Sequence, residues 1–399
     1  MNKNISKPII WMGVFILIVS IACSAASGSS TDEPQPPTTT EQPIEKPPDT
    51  EESPASEEPA MPSEGVNDLQ DVKAATIQIE AQGTFVDPEF GLLQNAAGHG
   101  SGFIIDPSGL AVTNNHVVTG AALLKVWVGG ENTPRNAVVL GVSECSDLAV
   151  IDIEGEGYDY LEWYDGSIDV GMDMYIAGYP LGDPEYTITK GVISKAKADG
   201  ETYWSSVDSV VEYDATSNPG NSGGPVVTSD GKVLAVHYSG NPQTRQAFGI
   251  SKTISTDVIN ELRSGIDVDA IGVNGQAVGT EDGSLTGVWV SSVQSGSPAD
   301  QAGLQPGDII TEMENLVLAT DGTLSQYCDI LRSHQPSDTL SVQVLRWSSG
   351  ELLEGQLNGR QLEMVATSDV STEGETTITE GDPYIDENAS QSGDAYYAT

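Results

Sequence analysis

The sequence has few basic residues, few histidines and few cysteines, and each scarcity excludes a class of function. Lys and Arg together number 16, against 59 Asp and Glu, so the formal net charge of the 399 residues is −43. The electrostatic field of such a negative charge repels phosphate backbones and anionic lipid surfaces, so we do not expect nucleic acid to be a partner. The 4 histidines and 3 cysteines have no metal-ligand spacing, and we expect neither a metal nor another cofactor.

The three cysteines are too few for a disulfide framework. Nothing in the spacing of Cys23, Cys145 and Cys328 resembles a zinc or redox motif. We expect Cys145 and Cys328 to be buried free thiols.

A long apolar run is also missing. Residues 9–22 are apolar but shorter than the roughly 20 residues that a membrane span needs. Lys3 and Lys7 precede them, which is typical of an export signal. The sequence VSIAC at 19–23 resembles a bacterial lipobox, which predicts cleavage before Cys23 and lipid on that cysteine. An ordinary signal peptide or an uncleaved anchor is the alternative.

Two segments have almost no large apolar residues and are rich in Pro, Thr, Ser and Glu. Such segments cannot offset the entropy of becoming ordered, so both are expected to be disordered. The predicted organisation is a signal peptide at 1–22, an acidic tether at 23–66, folded domains at 67–262 and 263–360, and an acidic tail at 361–399.

The two folded segments have different patterns. Residues 67–262 contain short runs rich in Val, Ile and Tyr, as at 102–105, 148–153 and 232–236, broken by Gly, Asp, Asn and Pro. Short strands at this spacing favour an all-β barrel or sandwich. Residues 263–360 alternate strands with two short helices. The chain is therefore predicted to be mainly β, with a smaller second domain.

The strongest motif is GNSGGP at 220–225. A nucleophilic serine needs a tight, glycine-flanked turn that exposes its hydroxyl and directs backbone N–H groups at a developing oxyanion. Ser222 is the candidate nucleophile, and the N–H groups of Gly220 and Ser222 are the candidate oxyanion hole. A plain Gly/Asn/Ser turn is the alternative interpretation.

A serine nucleophile also needs a base and a carboxylate that orients it. His116 follows an apolar strand in the sequence TNNHVV, and imidazole can accept and return a proton near neutral pH. Asp147 begins the apolar run DLAVID, which suits a buried carboxylate. The pattern alone leaves Asp106 and Asp152 open. The order His, Asp, Ser is that of chymotrypsin.

These segments together resemble the HtrA/Deg family of trypsin-like serine proteases. The matching sequences are GSGFIID, LAVTNNHVV, SDLAVIDIE, VGMDMYIAGYPLG, TKGVIS, YDATSNPGNSGGPVV and FGIS. The later segment GVWVSSVQSGSPADQAGLQPGDIITEM resembles the PDZ domain of such proteases. The resemblance covers about residues 75–357. It implies a chymotrypsin-like double six-stranded β-barrel at 67–262, a small α+β PDZ domain at 263–360, and Asp147 as the triad carboxylate.

The resemblance also implies where the substrate side chain binds. It puts the base of the specificity pocket near Thr216 and Ser217, and its walls near His237, Tyr238 and Phe248. No aspartate lies at the base to bind Arg or Lys. Small or medium apolar side chains are the implied preference, although the two hydroxyl residues are more polar than expected.

A PDZ domain binds an extended peptide, often a C-terminal one, by strand addition. The resemblance implies that its carboxylate-binding loop includes Ile271, Gly272 and Val273. Asp267 and Asp269 precede this loop and would disfavour an anionic terminus, so an internal or weak peptide ligand stays open.

The function implied is ATP-independent cleavage of unfolded or damaged proteins in the cell envelope, by a possible homotrimer. The expected location is outside the cell membrane or in the periplasm, with a lipid anchor on Cys23. The alternatives are a chaperone or peptide-binding scaffold with little protease activity, and a structural envelope lipoprotein. The last would explain the ends of the chain but not the GNSGGP motif.

Overall fold

The computed structural model describes residues 65–241, 244–367 and 378–380. The predicted signal peptide, Cys23, most of the tether and most of the acidic tail lie outside these residues. Within the part of the chain that the structure describes, no helix is both long enough and apolar enough to cross a membrane.

The first barrel is closed in the strand order β1-β2-β3-β6-β5-β4. Its elements are α1 (Val72–Ala75), β1 (Thr76–Asp87), β2 (Gly91–Ile104), β3 (Leu110–Thr113), α2 (Asn115–Val118), β4 (Leu123–Val128), β5 (Arg135–Ser143) and β6 (Leu148–Ile153). Alternating apolar side chains on these strands, such as Ile77 and Ile79, fill the interior.

The second barrel is closed in the order β10-β11-β12-β9-β8-β7, which is the same path as in the first. Its strands are β7 (Asp173–Gly178), β8 (Thr187–Glu201), β9 (Ser206–Tyr213), β10 (Pro225–Val227), β11 (Val233–Asn241) and β12 (Gln246–Ser251), followed by helix α3 (Lys252–Leu262). A third apolar cluster, including Leu148 and Val236, lies between the barrels. The predicted chymotrypsin-like double barrel is confirmed.

The remaining elements form the predicted α+β PDZ domain. They are β13 (Val273–Thr280), β14 (Thr286–Val293), α4 (Pro298–Ala302), β15 (Asp308–Met313), β16 (Leu316–Val317), α5 (Ser325–Arg332), β17 (Leu340–Arg346), β18 (Glu351–Leu357), β19 (Glu363–Thr367) and β20 (Ile378–Glu380). The main sheet runs β19-β18-β17-β15-β14-β13-β20. Apolar residues of α5, such as Tyr327 and Leu331, pack on this sheet.

The PDZ domain packs closely on the first barrel. Trp289 on β14 donates its indole N–H to the carbonyl of Val86 at 2.7 Å, and the Ser292 hydroxyl donates to the carbonyl of Thr119 at 2.9 Å. Asn274 on β13 reaches the carbonyl of His116 at 3.4 Å. The two domains therefore meet beside the candidate catalytic histidine.

The expectation of two free thiols was wrong. Cys145, in the turn between β5 and β6, is disulfide-bonded to Cys328 on α5, with their Cα atoms 5.5 Å apart. The bond links the protease domain to the PDZ domain. The two cysteines are 183 residues apart in sequence, so no local motif could reveal the pair; only the docking of the domains brings them together.

Candidate active site

Asp147 and His116 form a hydrogen-bonded pair where β6 begins. His116 Nδ1 lies 2.7 Å from Asp147 Oδ2, and the backbone N–H of His116 donates to Asp147 Oδ1 at 3.0 Å. Asp147 has a positive φ of 48° and is fully buried. Its carboxylate is thus held against the ring edge that a triad aspartate must orient. The rival Asp152 is exposed on β6.

A third donor reaches the same carboxylate. The indole Nε1 of Trp204, in the β8–β9 turn, lies 3.2 Å from Asp147 Oδ2. The indole and imidazole rings pack edge to face, with centroids 6.1 Å apart. Trp204 therefore supports both members of the pair.

The Ser222 turn is held against Ser101 on β2 of the first barrel. Ser101 donates its N–H to the Ser222 carbonyl at 2.8 Å and its hydroxyl to the Gly220 carbonyl at 2.6 Å. Gly223 has a φ of 82°, and a Cβ there would come within 2.3 Å of the Ser101 carbonyl. Only glycine fits such a turn without displacing its neighbours.

The N–H groups of the predicted oxyanion hole are available. Gly220 has a φ of 91°, and a side chain there would meet the backbone of Leu181 at 2.8 Å. Within the described residues, the N–H groups of Gly220 and Ser222 donate to no protein acceptor. Two free donors flanking a serine are what a tetrahedral oxyanion requires.

The Ser222 hydroxyl and the His116 ring are not hydrogen-bonded within the described part of the chain. Of the two hydrogen bonds of a catalytic triad, the one between His116 and Asp147 is therefore formed, and the one between Ser222 and His116 is not. Catalytic hydrogen bonds of a free enzyme are often long and tighten when substrate binds.

The predicted pocket residues separate into two groups. Tyr238 and Phe248 are buried in the apolar cluster between the barrels, and the Tyr238 hydroxyl donates to the Gly200 carbonyl at 3.3 Å. Ser217 and His237 are joined by a 2.5 Å contact between Oγ and Nε2. Thr216 is exposed. Ser217 and His237 are thus the polar pair of this region.

The predicted carboxylate-binding loop of the PDZ domain holds a carboxyl group of the protein itself. Oε1 of Glu144 accepts the N–H groups of Ile271, Gly272 and Val273 at 3.0, 2.6 and 2.8 Å. The Tyr327 hydroxyl donates to Oε2. Burial raises the pKa of Glu144 to about 7, against the lowering effect of these four hydrogen bonds.

Comparison with known proteins gives the same two domains. Residues 100–236 match the model of a trypsin-like peptidase domain, and residues 289–343 match that of a PDZ domain. A serine protease Do-like HtrA of Lactococcus lactis is 30% identical over 308 residues, which are 68% of this chain and 72% of that protein. The chain belongs to the HtrA family of serine proteases.

Other relatives are longer than this HtrA-family chain. A probable periplasmic serine endoprotease, DegP-like, of Hahella chejuensis is 33% identical over 268 residues, which are 63% of this chain but 55% of that protein. The chain therefore spans about half the length of such relatives. A crystal structure of the serine endoprotease from Yersinia pestis aligns with a TM-score of 0.42 at 23% identity, covering 75% of this chain and 97% of that one.

Three residues of this HtrA-family chain that contact the candidate site or the PDZ loop could not be identified from its sequence. Trp204 and Glu144 lie in turns without a recognised motif, and Ser101 lies in GSGFIID, a segment that carried only the family resemblance. The signal for Glu144 was its position between Ser143 and Cys145, directly before the catalytic aspartate segment. The described residues contain no group of three side chains suited to a metal ion.

Proposed function

We propose that this HtrA-family chain is an ATP-independent serine endoprotease that cleaves unfolded or damaged proteins in the cell envelope. The observation that carries the proposal is the buried Asp147 carboxylate on His116 Nδ1, next to a glycine-flanked serine turn with two free N–H donors. The names of the relatives, which include probable periplasmic serine endoproteases, support the same activity.

In this proposal the residues have the roles of a serine-protease triad and its oxyanion hole. Ser222 attacks the substrate carbonyl while Nε2 of His116 takes its proton, and the same nitrogen then protonates the leaving amine. Asp147 keeps the imidazole in the tautomer with Nδ1 protonated and stabilises the imidazolium. The N–H groups of Gly220 and Ser222 stabilise the oxyanion. Water then repeats the cycle on the acyl-enzyme.

The PDZ domain is proposed to bind extended peptides at the loop of Ile271, Gly272 and Val273 and along β13. That three consecutive N–H groups already hold a carboxyl group supports a carboxylate as the ligand chemistry. A chaperone or scaffold with little protease activity is the weaker candidate, because every element of the catalytic constellation is present.

The experiment compares wild type with Ser222→Ala on unfolded casein and with a fluorophosphonate probe. We expect wild type to cleave and to be labelled at Ser222, and the variant to do neither while keeping its circular dichroism spectrum. Cleavage by Ser222→Ala at the wild-type rate would refute the assignment. A wild type that resists both probe and casein would favour the scaffold.

Assembly and location are also proposals. Family resemblance supports a homotrimer formed through the protease domains, which light scattering of a chain without residues 1–64 would test. The names of the relatives support export. The lipobox-like sequence supports a lipid anchor on Cys23, with the tether holding the protease away from the membrane.

A further inference from the structure

The region of the predicted specificity pocket contains a buried imidazole between two hydroxyl groups. His237 is 2% exposed; its Nδ1 lies 2.7 Å from the Tyr213 hydroxyl and its Nε2 lies 2.5 Å from Ser217 Oγ. No carboxylate contacts this ring among the described residues. Because hydroxyl groups both donate and accept, these two partners alone do not fix which ring nitrogen carries the proton, and the ring also interacts with the backbone of Phe248.

This imidazole is tied to the nucleophile turn. The carbonyl of His237 accepts the N–H of Gly223 at 2.8 Å, and its own N–H donates to the carbonyl of Gly224 at 2.9 Å. Ser217 precedes Ser222 by five residues and is partly exposed. A Cβ on Gly240 would come within 3.3 Å of Ser217, so β11 passes close to this hydroxyl. Ser217, the partly exposed member of the pair, therefore lies between the nucleophile turn and β11, with His237 buried behind it.

The donors at this position suit an anionic side chain. Burial lowers the pKa of His237 to about 3, so the ring of the free enzyme is neutral. When Tyr213 donates to Nδ1, the proton lies on Nε2 and is donated to Ser217 Oγ, so the Ser217 O–H is left to donate to a bound oxygen. A basic side chain would find no carboxylate. An apolar side chain would gain nothing from an imidazole that is costly to bury.

We propose that Ser217 and His237 select an acidic residue, Glu or Asp, on the N-terminal side of the scissile bond. Tyr213 acts through the ring as a positioning residue. The proposal rests on the protease function proposed above and differs from the small apolar preference that family resemblance implies.

The test uses the full chain and matched fluorogenic peptides that differ only in that residue: Glu, Gln, Val or Lys. We expect kcat/KM for Glu to exceed that for Val and Lys at least tenfold. His237→Gln should reduce the ratio of Glu to Gln by at least tenfold, and Ser217→Ala should reduce it less. Fluorophosphonate labelling of Ser222 should persist in both variants, which separates lost specificity from lost activity.

A labelled wild type that prefers Val or Lys overturns the acidic preference and leaves the protease function standing. If His237→Gln leaves the ratio of kcat/KM for Glu to that for Gln unchanged, the buried histidine has only a structural role. If either variant folds poorly, cleavage sites of wild type on denatured proteins, read by mass spectrometry, decide the matter: cuts must follow Glu or Asp. Absence of both labelling and cleavage refutes the two proposals together.

A separate observation concerns the PDZ groove, whose edge is occupied by other parts of the chain. Along β13, the N–H of Val273 donates to Glu144, and the N–H of Ala277 donates to the carbonyl of Tyr203 at 2.6 Å. Gly279 is paired with Thr379 of β20. The ring of Tyr203 also packs on the apolar core of the PDZ domain. A carboxyl group in the loop, followed by backbone partners along the strand, is how an extended C-terminal peptide would bind.

We infer that Glu144 is an internal ligand of the PDZ carboxylate loop and that C-terminal peptides must displace it to bind. The protease domain thus supplies the competitor from a residue three positions before Asp147. The N–H of Asp147 donates to the backbone carbonyl of Glu144 at 3.3 Å, so the turn that presents Glu144 to the PDZ loop is also the turn that leads into Asp147.

The probe is a fluorescent peptide ending in Val, used with a free carboxylate and as its amide, in anisotropy titrations of the full chain. Glu144→Ala should bind the free acid at least tenfold more tightly than wild type does, with no gain for the amide. Asp152→Ala, an exposed carboxylate of the same domain, is the matched control and should match wild type.

Equal affinity of wild type and Glu144→Ala for the free acid would overturn the inference, as would an equal gain for the amide. If removal of the buried carboxyl group prevents folding, Glu144→Gln keeps the side-chain volume and should give a smaller gain in the same direction. No gain in a folded Glu144→Gln variant would count against the inference as well.

Discussion

The indole N–H of Trp204 and the imidazole of His116 share one carboxylate oxygen of Asp147. Trp204 Nε1 lies 3.2 Å from Asp147 Oδ2, and His116 Nδ1 lies 2.7 Å from the same atom. Trp204 lies next to Tyr203, whose carbonyl accepts a hydrogen bond from the PDZ strand β13. One turn of the second barrel therefore contacts both the catalytic pair and the peptide-binding edge.

Removing this donor should slow turnover without weakening substrate binding. A hydrogen bond to a charged group contributes about 1.5–3 kcal/mol. For Trp204→Phe we expect kcat to fall about tenfold at unchanged KM, since the carboxylate is then held by His116 alone. Steady-state kinetics on a fluorogenic peptide would check this. Trp163→Phe, which alters a ring packed on Phe103, is the control and should keep wild-type kcat.

Asp147→Asn should reduce kcat by roughly 10⁴ with little change in KM, because the amide favours the wrong tautomer of His116. Single-turnover kinetics with the acyl-enzyme trapped would locate the loss in acylation. Asp152→Asn is the control. A comparable loss in the control would mean that the wrong carboxylate was chosen.

Breaking the disulfide should destabilise the chain without touching the catalytic residues. The bond closes a sequence separation of 183 residues, and loss of a native disulfide costs about 2–5 kcal/mol. We expect Cys328→Ser to lower the melting temperature of the docked domains. Dithiothreitol should lower it in wild type and have no further effect in the variant. If dithiothreitol lowered the melting temperature of wild type and Cys328→Ser equally, the effect would not come from this bond.

Burial of Glu144 should make stability depend on pH. Its pKa is raised from 4.5 to about 7, so the folded state retains a proton that the unfolded state loses. The resulting stabilisation is complete below about pH 4.5 and is lost as the pH rises through about 7. Chemical denaturation of wild type and Glu144→Gln at pH 4.5 and pH 8 would show it. The loss between these pH values should be smaller in the variant; identical slopes would exclude Glu144 as the source.

The lipid anchor makes its own prediction. Wild type should incorporate labelled fatty acid and sediment with membranes, and Cys23→Ser should not be labelled. Stable attachment needs more than one acyl chain, which a bacterial lipoprotein carries. If the variant still sediments and keeps its N-terminal segment, residues 9–22 are an uncleaved anchor instead.

Local patterns determined the fold class and the chemistry of the candidate site. Short runs rich in Val and Ile, broken by turn residues, specify strands of a barrel or sandwich, and the resemblance to the HtrA/Deg family implied two six-stranded barrels. The glycines around Ser222 are required by positive φ angles and close approach, so the sequence alone identifies the nucleophile turn. His116 follows an apolar strand and Asp147 begins one, but this pattern left Asp106 and Asp152 open as the carboxylate.

Contacts between distant segments could not be read in this way. The choice of Asp147 over Asp152 depends on which carboxylate the barrel buries against His116, and the pattern of β6 alone left both open. Tyr238 and Phe248 belong to the core between the barrels, because that core is assembled from strands of both halves.

The sequence by itself thus determined a mainly β chain and a serine in a glycine-flanked turn, because these depend on local spacing and backbone sterics, and its resemblance to the HtrA/Deg family implied the double barrel and the PDZ domain. Only the tertiary structure decided which distant segments contact one another. The Cys145–Cys328 bond, the Glu144 carboxyl group in the PDZ loop and the Trp204 donor on Asp147 each join residues more than 50 positions apart. Such contacts arise when the two barrels and the PDZ domain pack against one another, and no periodicity along the chain encodes them.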